Sequence, residues 1–273
     1  MNTHLLQLSK RIVSAHEKVL PPVDILEQCK QLTKDNSVWT HKVLGRSEQG
    51  HPIDMFEFGE GTQHTLWYGF PDPGEALGGT TILALMQELS RPDSPLHTLF
   101  PDMTWCFAPV LDFDLQPDEG RSLQHLMSAP GARLVDMCLN DNPRPESLAI
   151  IEYADTIKPT FIYSLHDEFH SGEQLPAYAV VYESFPKNLV HALKTIWTHF
   201  EYPINTEMVH PTFGEGFLKP DEDEDFYAIT TFKRYEAYAQ MLIFELSEQP
   251  HVSTHDLLTM QLLAGLHVLE ALC

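Results

Sequence analysis

Two acidic residues stand three positions apart where a predicted strand ends. The segment 68–75 (YGFPDPGE) follows an apolar run and places Asp72 and Glu75 in a turn made by proline and glycine. In an open α/β sheet, ligands bind outside the carboxyl ends of the strands. The two carboxylates are therefore candidates for a metal or acid–base site. An acidic helix start, which the helix dipole favours, is the alternative interpretation of the same residues.

A second polar cluster follows another apolar run, in the segment 162–170 (IYSLHDEFH). His166 is expected at the same edge of the sheet as the first cluster if the two strands are neighbours. His170 has the four-residue spacing of paired helix ligands, but a Ser-Gly pair follows it and no helical pattern surrounds it. A loop position is therefore favoured for His170. Because the chain has 15 histidines, an isolated histidine carries little weight.

One acidic residue, Glu245, interrupts the apolar segment 241–246 (MLIFEL). Burying a carboxylate without a partner is costly, so Glu245 either faces a site at the strand end or is bonded to neighbouring loops as a structural group. A desolvated carboxylate is a typical general base of metal-assisted hydrolysis. We therefore predict that Glu245 is a base, with the structural role as the alternative.

The elements that must position these residues alternate along the chain. Apolar runs predict strands at 38–44, 53–58, 64–70, 103–111, 161–165, 177–182 and 241–246. Helical periodicity predicts helices at 3–18, 24–32, 76–89, 147–157, 186–200 and 254–272. This alternation indicates an α/β fold with a mixed, largely parallel twisted sheet and helices on both faces. No repeat or linker interrupts it, so we predict a single domain over residues 1–273, with residues 1–35 as an N-terminal helical extension packed on it. The segment 112–142 is predicted to be mainly loop.

Charge and cysteine content narrow the classes of function. The 273 residues include 17 Lys+Arg and 39 Asp+Glu, for a formal charge of −22, which argues against nucleic acid or an anionic membrane as partner. No apolar run is long enough to span a membrane, and the N-terminus lacks the apolar centre of a secretory signal. The 4 cysteines show no CxxC spacing and predict neither disulfides nor a zinc finger. We expect a cytoplasmic protein; the oligomeric state stays open.

Taken in chain order, these motifs resemble the zinc carboxypeptidase family, which uses His-x-x-Glu, a distant His and a late Glu. Four further segments are similar to family motifs: 45–53 (GRSEQGHPI) to GRSxxGxPI, 108–115 (APVLDFDL) to PVLNPDG, 139–142 (LNDN) to LNRN, and 244–246 (FEL) to FEL. The resemblance covers residues 45–246 in the correct order. It implies a carboxypeptidase-like, phosphorylase/hydrolase-like fold and the hydrolysis of an amide bond in a peptide or small amide substrate.

The resemblance also implies roles for particular residues. Three residues would hold a zinc ion: Asp72, Glu75 and His166. Glu245 would be the general base. Zinc accepts carboxylate oxygen and imidazole nitrogen in a tetrahedral site with one position open for water. Asp72 stands where the family has histidine, and an oxygen-rich ligand set also admits Mn²⁺ or Mg²⁺. A second metal ion is an alternative, with three candidate ligands: Asp167, Glu168 and His170.

The residues that the family uses to bind substrate are altered in this chain. Asn140 matches a carboxylate-binding Asn, but Asp141 replaces the Arg that follows it, and an acid repels a carboxylate. Three arginines of the same loop are candidate substitutes: Arg121, Arg133 and Arg144. A catalytic tyrosine is expected between the distant His and the late Glu, with Tyr227 as the predicted residue and two alternatives, Tyr235 and Tyr238.

Three functions stay open at this point. The leading hypothesis is a metal-dependent hydrolase of the carboxypeptidase type. The altered Asn-Asp pair and the modest length favour an N-acyl amino acid deacylase of the desuccinylase/aspartoacylase type, although that group keeps a His at the first ligand position. The replacement of one ligand His and of the Arg also motivates a third hypothesis, a catalytically degenerate member that binds a ligand without turnover.

Overall fold

The computed structural model describes residues 2–34, 36–71, 74–114, 144–167, 174–219 and 235–273. Within these ranges the helices are α1 (Thr3–Val13), α2 (Pro22–Lys34), α3 (Ala76–Leu89), α4 (Leu96–Leu99), α5 (Pro145–Ile157), α6 (Lys187–His199) and α7 (Thr254–Leu272). The strands are β1 (Trp39–Arg46), β2 (Pro52–Phe58), β3 (Gln63–Gly69), β4 (Met103–Ala108), β5 (Phe161–Leu165), β6 (Tyr178–Val180), β7 (Val209–His210), β8 (Gly214–Glu215), β9 (Phe217–Leu218) and β10 (Gln240–Glu245). The alternation predicted from the sequence is confirmed.

Eight of these strands form one mixed sheet with the order β1-β2-β4-β3-β5-β10-β6-β9. The central strands β4, β3, β5 and β10 are all parallel, whereas β1 and β2 are antiparallel at one side and β6 is antiparallel to β10. The remaining two strands, β7 and β8, pair with each other. Because β3, β5 and β10 are parallel and adjacent, their carboxyl ends meet at one edge of the sheet. That edge is the place predicted for the polar clusters.

Two apolar cores lie on the two faces of the sheet. Helices α1, α2, α3, α6 and α7 contribute to the larger core, and α5 covers the other face. Strand side chains alternate between the two: Trp67 belongs to the larger core and its neighbours Leu66 and Tyr68 to the smaller one. Burial on both faces explains why the central strands are continuous apolar runs without polar alternation.

Glycines allow α3 to lie directly against the sheet. A Cβ atom added at Gly78 would be 2.6 Å from the Cβ of Leu165, and one added at Gly69 would be 2.5 Å from the main-chain nitrogen of Gly79. Real Cβ atoms do not approach other atoms this closely. The glycines therefore set the short spacing between the start of α3 and the ends of β3 and β5.

Several boundaries differ from the predicted ones. The strand predicted over 103–111 ends at Ala108, because the next residue is Pro109 and proline has no N–H group to donate to a ladder. The first helix ends at Val13 instead of residue 18. Three short strands, β7 to β9, were not predicted. Most of the loop predicted over 112–142 lies outside the described residues.

The N-terminal helices pack onto the rest of the described chain. Leu5, Leu8 and Val13 of α1 and Ile25 of α2 belong to the same core cluster as α3 and α7. None of the helices in the part of the chain that the structure describes combines the length and the hydropathy needed to span a bilayer.

Candidate metal centre

The turn after β3 delivers Glu75 to the edge of the sheet. Phe70, directly after the strand, is buried and adopts a left-handed conformation with φ of 52°, and Gly74 has φ of 82°. Such angles are unusual for a residue with a side chain and easy for glycine. These two residues change the direction of the chain between β3 and α3, and Glu75 occupies the N-cap position of α3. Its carboxylate makes no capping hydrogen bond with the helix and is 5% exposed.

Two further strands deliver the other two groups. His166 directly follows the last residue of β5, and Glu245 is the last residue of β10. The two side chains are buried, with 5% and 6% of their surface exposed. Leu165 pairs with Phe244 across the parallel ladder, so the residue after each partner lies at the same height on the sheet. The tertiary structure therefore brings His166 and Glu245 together across 79 residues of chain.

The three side chains converge on one point. Nδ1 of His166 lies 3.2 Å from Oε2 of Glu75 and 3.2 Å from Oε1 of Glu245. One ligand atom from each residue lies within 4.8 Å of the others. Among the described residues, these three form the one group of three or more His, Cys, Asp or Glu side chains with such a spacing.

The chemistry of this group fits a divalent cation. Two carboxylates around one imidazole are a donor set suited to a cation, because burying ionised carboxylates is costly unless a cation offsets their charge. Oε2 of Glu245 is buried and receives no hydrogen bond from the described part of the chain. Carboxylate oxygen and imidazole nitrogen are ligands of zinc. Glu245 is as near to His166 as Glu75 is, so its position suits either a ligand or a base next to a metal.

Hydrogen bonds hold the backbone around this group. Oδ2 of Asp167 accepts a 2.7 Å hydrogen bond from the main-chain N–H of Leu77, in the first turn of α3. Nε2 of Gln261, on α7, donates a 3.0 Å hydrogen bond to the main-chain oxygen of His166. Asp167, a candidate ligand for a second metal, is thus a fully buried cap of α3. Gln261 was missed at the sequence level, where the available signal was a glutamine within the apolar stretch of the last helix.

Arg144 forms a buried ion-pair cluster at the same end of the sheet. Its guanidinium contacts both carboxylate oxygens of Asp112, one of them at 2.9 Å, and lies 3.0 Å from Oε1 of Glu146. All three residues are at most 3% exposed. Asp112 follows β4 and Arg144 precedes α5, so the cluster ties these two elements together. The role in substrate binding that the resemblance implies for Arg144 stays a prediction.

Burial and pairing shift the pKa values of this cluster in a consistent way. Burial alone would lower the pKa of Arg144, but its hydrogen bond and ion pair with Asp112, together with the charge of Glu146, raise it above the ordinary value. Burial raises the pKa of Glu146, and the ion pair with Arg144 opposes that shift only in part. The arginine is therefore charged at every physiological pH and compensates the buried carboxylates.

The structure describes both alternative tyrosines. Tyr235 is fully buried and its hydroxyl donates a 3.0 Å hydrogen bond to the main-chain oxygen of Ile151, so it ties its segment to α5. Tyr238 is 44% exposed. Seven predicted residues lie outside the described ranges: Asp72, Arg121, Arg133, Asn140, Glu168, His170 and Tyr227.

Sequence comparison and structural comparison give different results for this chain. No protein-family model matches it, and no curated protein sequence matches it. Solved structures do match. The metallo-carboxypeptidase from Burkholderia cenocepacia superposes with a TM-score of 0.63 and 12% identity over 93% of this chain and 70% of its own. The metallo-carboxypeptidase from Pseudomonas aeruginosa, in complex with (2-guanidinoethylmercapto)succinic acid, superposes with a TM-score of 0.61 and 12% identity. This match covers 92% of this chain and 69% of its own.

A third match is a mammalian protein. Bovine thrombin-activatable fibrinolysis inhibitor, in complex with tick carboxypeptidase inhibitor, superposes with a TM-score of 0.61 and 10% identity over 94% of this chain and 99% of its own. At such identities the similarity shows the fold alone. The chain therefore has the fold of metallo-carboxypeptidases.

Proposed function

We propose that this protein is a metal-dependent hydrolase of the carboxypeptidase type, which cleaves an amide bond in a peptide or a small amide substrate. The observation that carries the proposal is the convergence of Glu75, His166 and Glu245, buried at the carboxyl ends of three parallel strands. This is the edge where α/β sheets bind their ligands. The metallo-carboxypeptidase fold supports the same conclusion.

In this proposal the metal is Zn²⁺, with Mn²⁺ as the alternative, held by Asp72, Glu75 and His166. When bound, such an ion polarises the scissile carbonyl and lowers the pKa of a water molecule. The buried carboxylates of the site provide the charge that attracts the cation. Their position beneath the protein surface excludes bulk water, which strengthens every electrostatic interaction in the site.

Glu245 has the second role in the reaction. Its carboxylate accepts a proton from the attacking water and passes it to the leaving amine, which is the work of a general base that then acts as a general acid. The side chain is anchored at the end of β10, a central strand, and it therefore keeps its orientation towards His166 without depending on a loop. The proposed groups that contact substrate are Tyr227, Asn140, Arg121, Arg133 and Arg144.

Deacylation of N-acyl amino acids is the second candidate function. The observation that favours it is Asp141, which stands where carboxypeptidases have the Arg that binds the terminal carboxylate of a peptide. A panel of peptides and N-acyl amino acids, assayed with the zinc-loaded protein, separates the two candidates. Hydrolysis of peptides alone supports the carboxypeptidase hypothesis, and release of the acyl group alone supports the deacylase.

The proposal is tested by separating metal binding from turnover. We expect Glu75→Ala to abolish Zn²⁺ binding, measured by calorimetry. We expect Glu245→Gln to bind Zn²⁺ and to lose activity by about 10²–10⁴-fold, the usual contribution of a general base. Glu88→Gln is the matched control, because Glu88 is an equally buried glutamate near the far end of α3 and pairs with Arg11. We expect Glu88→Gln to keep both Zn²⁺ binding and activity.

Three results would contradict the proposal. A wild-type protein that binds no divalent metal would remove its basis. Turnover by Glu245→Gln at the wild-type rate would show that another group is the base. Tight metal binding with no hydrolysis of either substrate class would instead favour a degenerate member that binds without turnover.

A further inference from the structure

Gln261 is a fully buried polar residue in a helix whose neighbouring positions are apolar. Its exposed fraction is 0%, and Met260, Leu262, Leu263 and Ala264 around it are buried in the core. A buried amide without hydrogen bonds is costly. The position of this side chain is therefore determined by its hydrogen-bond partners, and those partners indicate what it does.

The hydrogen bonds of Gln261 join α7 to the two elements that carry the candidate metal ligands. Nε2 donates to the main-chain oxygen of His166 at 3.0 Å. Oε1 accepts from the hydroxyl of Thr81, in the second turn of α3, at 2.8 Å. The main-chain oxygen of Gln261 also accepts a 2.9 Å hydrogen bond from the hydroxyl of Tyr163 on β5. One residue thus links α3, the end of β5 and the backbone of His166.

The His166 backbone needs such a link because it lies beyond the sheet. The last ladder pairs of β5 are made by Leu165, with Gly69 on one side and Phe244 on the other. Beyond the last ladder pair, tertiary contacts and not the ladder limit the local motion of the backbone. The hydrogen bond from Gln261 is one such contact, and a small rotation of the His166 backbone would move its imidazole ring by a larger distance.

The other side of the site, next to Glu75, is held to α3. Asp167, the next residue, accepts the hydrogen bond from the main chain of Leu77, two positions after Glu75. The carboxylate of Glu75, which occupies the N-cap position, makes no such bond and lies against His166 instead. The backbone around the Glu75–His166 contact is therefore held to α3 in two places. Asp167 bonds to the first turn of α3, and Gln261 joins the carbonyl of His166 to Thr81 in the second turn.

We propose that Gln261 is a positioning residue of the candidate metal centre: through Thr81 and the His166 carbonyl, it sets the distance between the imidazole of His166 and the carboxylate of Glu75. This inference rests on the proposed function, since it assigns to Gln261 an effect on metal binding. Partners that orient metal ligands contribute about 10–100-fold to metal affinity. Its side-chain hydrogen bonds in the described part of the chain reach the main-chain oxygen of His166 and the hydroxyl of Thr81, so its proposed effect on the ligands passes through the backbone.

The test compares Gln261→Met with Tyr163→Phe. Methionine has nearly the same shape as glutamine and keeps the core filled while removing both side-chain hydrogen bonds. Tyr163→Phe removes a buried hydrogen bond to the same residue of α7 without touching the His166 carbonyl. The Kd for Zn²⁺ is measured by competition with a chromophoric chelator, and the Tm of each metal-free protein is measured in EDTA.

We expect Gln261→Met to weaken Zn²⁺ binding by about 10–100-fold. Tyr163→Phe should lower the metal-free Tm by a similar amount and leave the Kd at the wild-type value. Thr81→Val, which breaks the link at its other end, should also weaken binding. Thr81 and Gln261 belong to the same series of hydrogen bonds. The double variant Thr81→Val/Gln261→Met should therefore bind Zn²⁺ no more weakly than Gln261→Met alone.

Different results overturn different statements. If the wild-type protein does not bind Zn²⁺, the proposed function fails, and the role of Gln261 fails with it. If the wild-type protein binds Zn²⁺ and Gln261→Met or Thr81→Val binds equally well, only the positioning role is wrong. The same conclusion follows if Tyr163→Phe weakens binding as much as Gln261→Met does, since the effect would then be a general loss of stability. If Gln261→Met does not fold, the comparison of Thr81→Val with Tyr163→Phe decides the question.

Discussion

Replacing Gly78 with alanine tests how closely α3 must approach β5 for the site to form. The added methyl group would lie 2.6 Å from both Cβ and the main-chain oxygen of Leu165, and 3.3 Å from Cα of Gly69. Gly78 is three residues after Glu75, and Leu165 directly precedes His166. Relief of this contact therefore moves the two candidate ligands apart.

The size of the effect can be worked out from the overlap. Carbon atoms pack at about 3.5 Å, so α3 must move away from β5 by roughly 1 Å. A functional site tolerates displacements of about 0.5 Å, and we expect Zn²⁺ affinity to fall by at least ~10-fold. Overpacking costs about 1–3 kcal/mol, which the better helix propensity of alanine offsets by ~1 kcal/mol. A net loss of ~0–2 kcal/mol lowers Tm by at most roughly 8 °C in a domain of this size.

The assay uses two glycine controls. At Gly61, an added Cβ would lie 2.1 Å from the main chain of Asp102, a still closer contact at the amino ends of β3 and β4, which is the opposite edge of the sheet. Gly61→Ala should therefore lower Tm with no change in the Kd for Zn²⁺. At Gly45 the nearest atoms are 3.8 Å away, so Gly45→Ala should change neither quantity. Tm is measured without metal, and the Kd by chelator competition.

The reasoning would be refuted by a Gly78→Ala protein that loses stability like Gly61→Ala but binds Zn²⁺ as tightly as the wild-type protein. Such a result would mean that the ligands adjust independently of the spacing between α3 and β5. An unchanged Tm together with an unchanged Kd would mean that the helix accommodates the methyl group without moving away from the sheet.

Two further predictions concern buried charges. Arg144→Met leaves the carboxylates of Asp112 and Glu146 buried without their cation, so it should lower the free energy of unfolding, measured with urea, by about 3–5 kcal/mol. The double variant with Asp112→Asn should recover part of this loss. A loss below ~1 kcal/mol in Arg144→Met would contradict the assigned role. Burial lowers the pKa of His267, and the charge of Glu270 opposes this only in part. A histidine whose pKa is lower in the folded state stabilises the fold at any pH above its unfolded pKa of about 6.5. This contribution is lost as the pH falls from that value through the folded-state pKa. The free energy of unfolding of the wild-type protein should therefore decrease from pH 7.5 to 5.5, and that of His267→Gln should decrease less steeply. Equal pH slopes in the two proteins would show that His267 does not contribute.

Much of the fold was predictable from local patterns. The apolar runs that became β3, β5 and β10 are bounded by polar residues, and helical periodicity placed α3 and α7 to within a few residues. The polar residues at the strand ends were visible for the same reason, because a polar residue is conspicuous where an apolar strand stops. Short strands such as β9, which spans Phe217–Leu218, have no such pattern, since a pair of residues shows no periodicity.

Other features depend on contacts between distant segments. The bidentate contact of Arg144 with Asp112 joins residues 32 positions apart in the chain, and the sequence left the partner of this arginine open. Gln261 is a similar case. A glutamine in an apolar helix signals a buried hydrogen bond, but only the packing of α7 against β5 identifies the His166 carbonyl as its partner.

By itself, the sequence determined the alternation of elements, the burial of the central strands and the three residues Glu75, His166 and Glu245 as polar groups at strand ends. These follow from local chemistry: periodicity, turn residues and the cost of burying charge. Only the tertiary structure decided that β3, β5 and β10 are neighbours, because strand order depends on pairing between segments that are far apart in the chain. It also decided the 3.2 Å distances within the site, since they depend on how closely α3 packs against the sheet at its glycines.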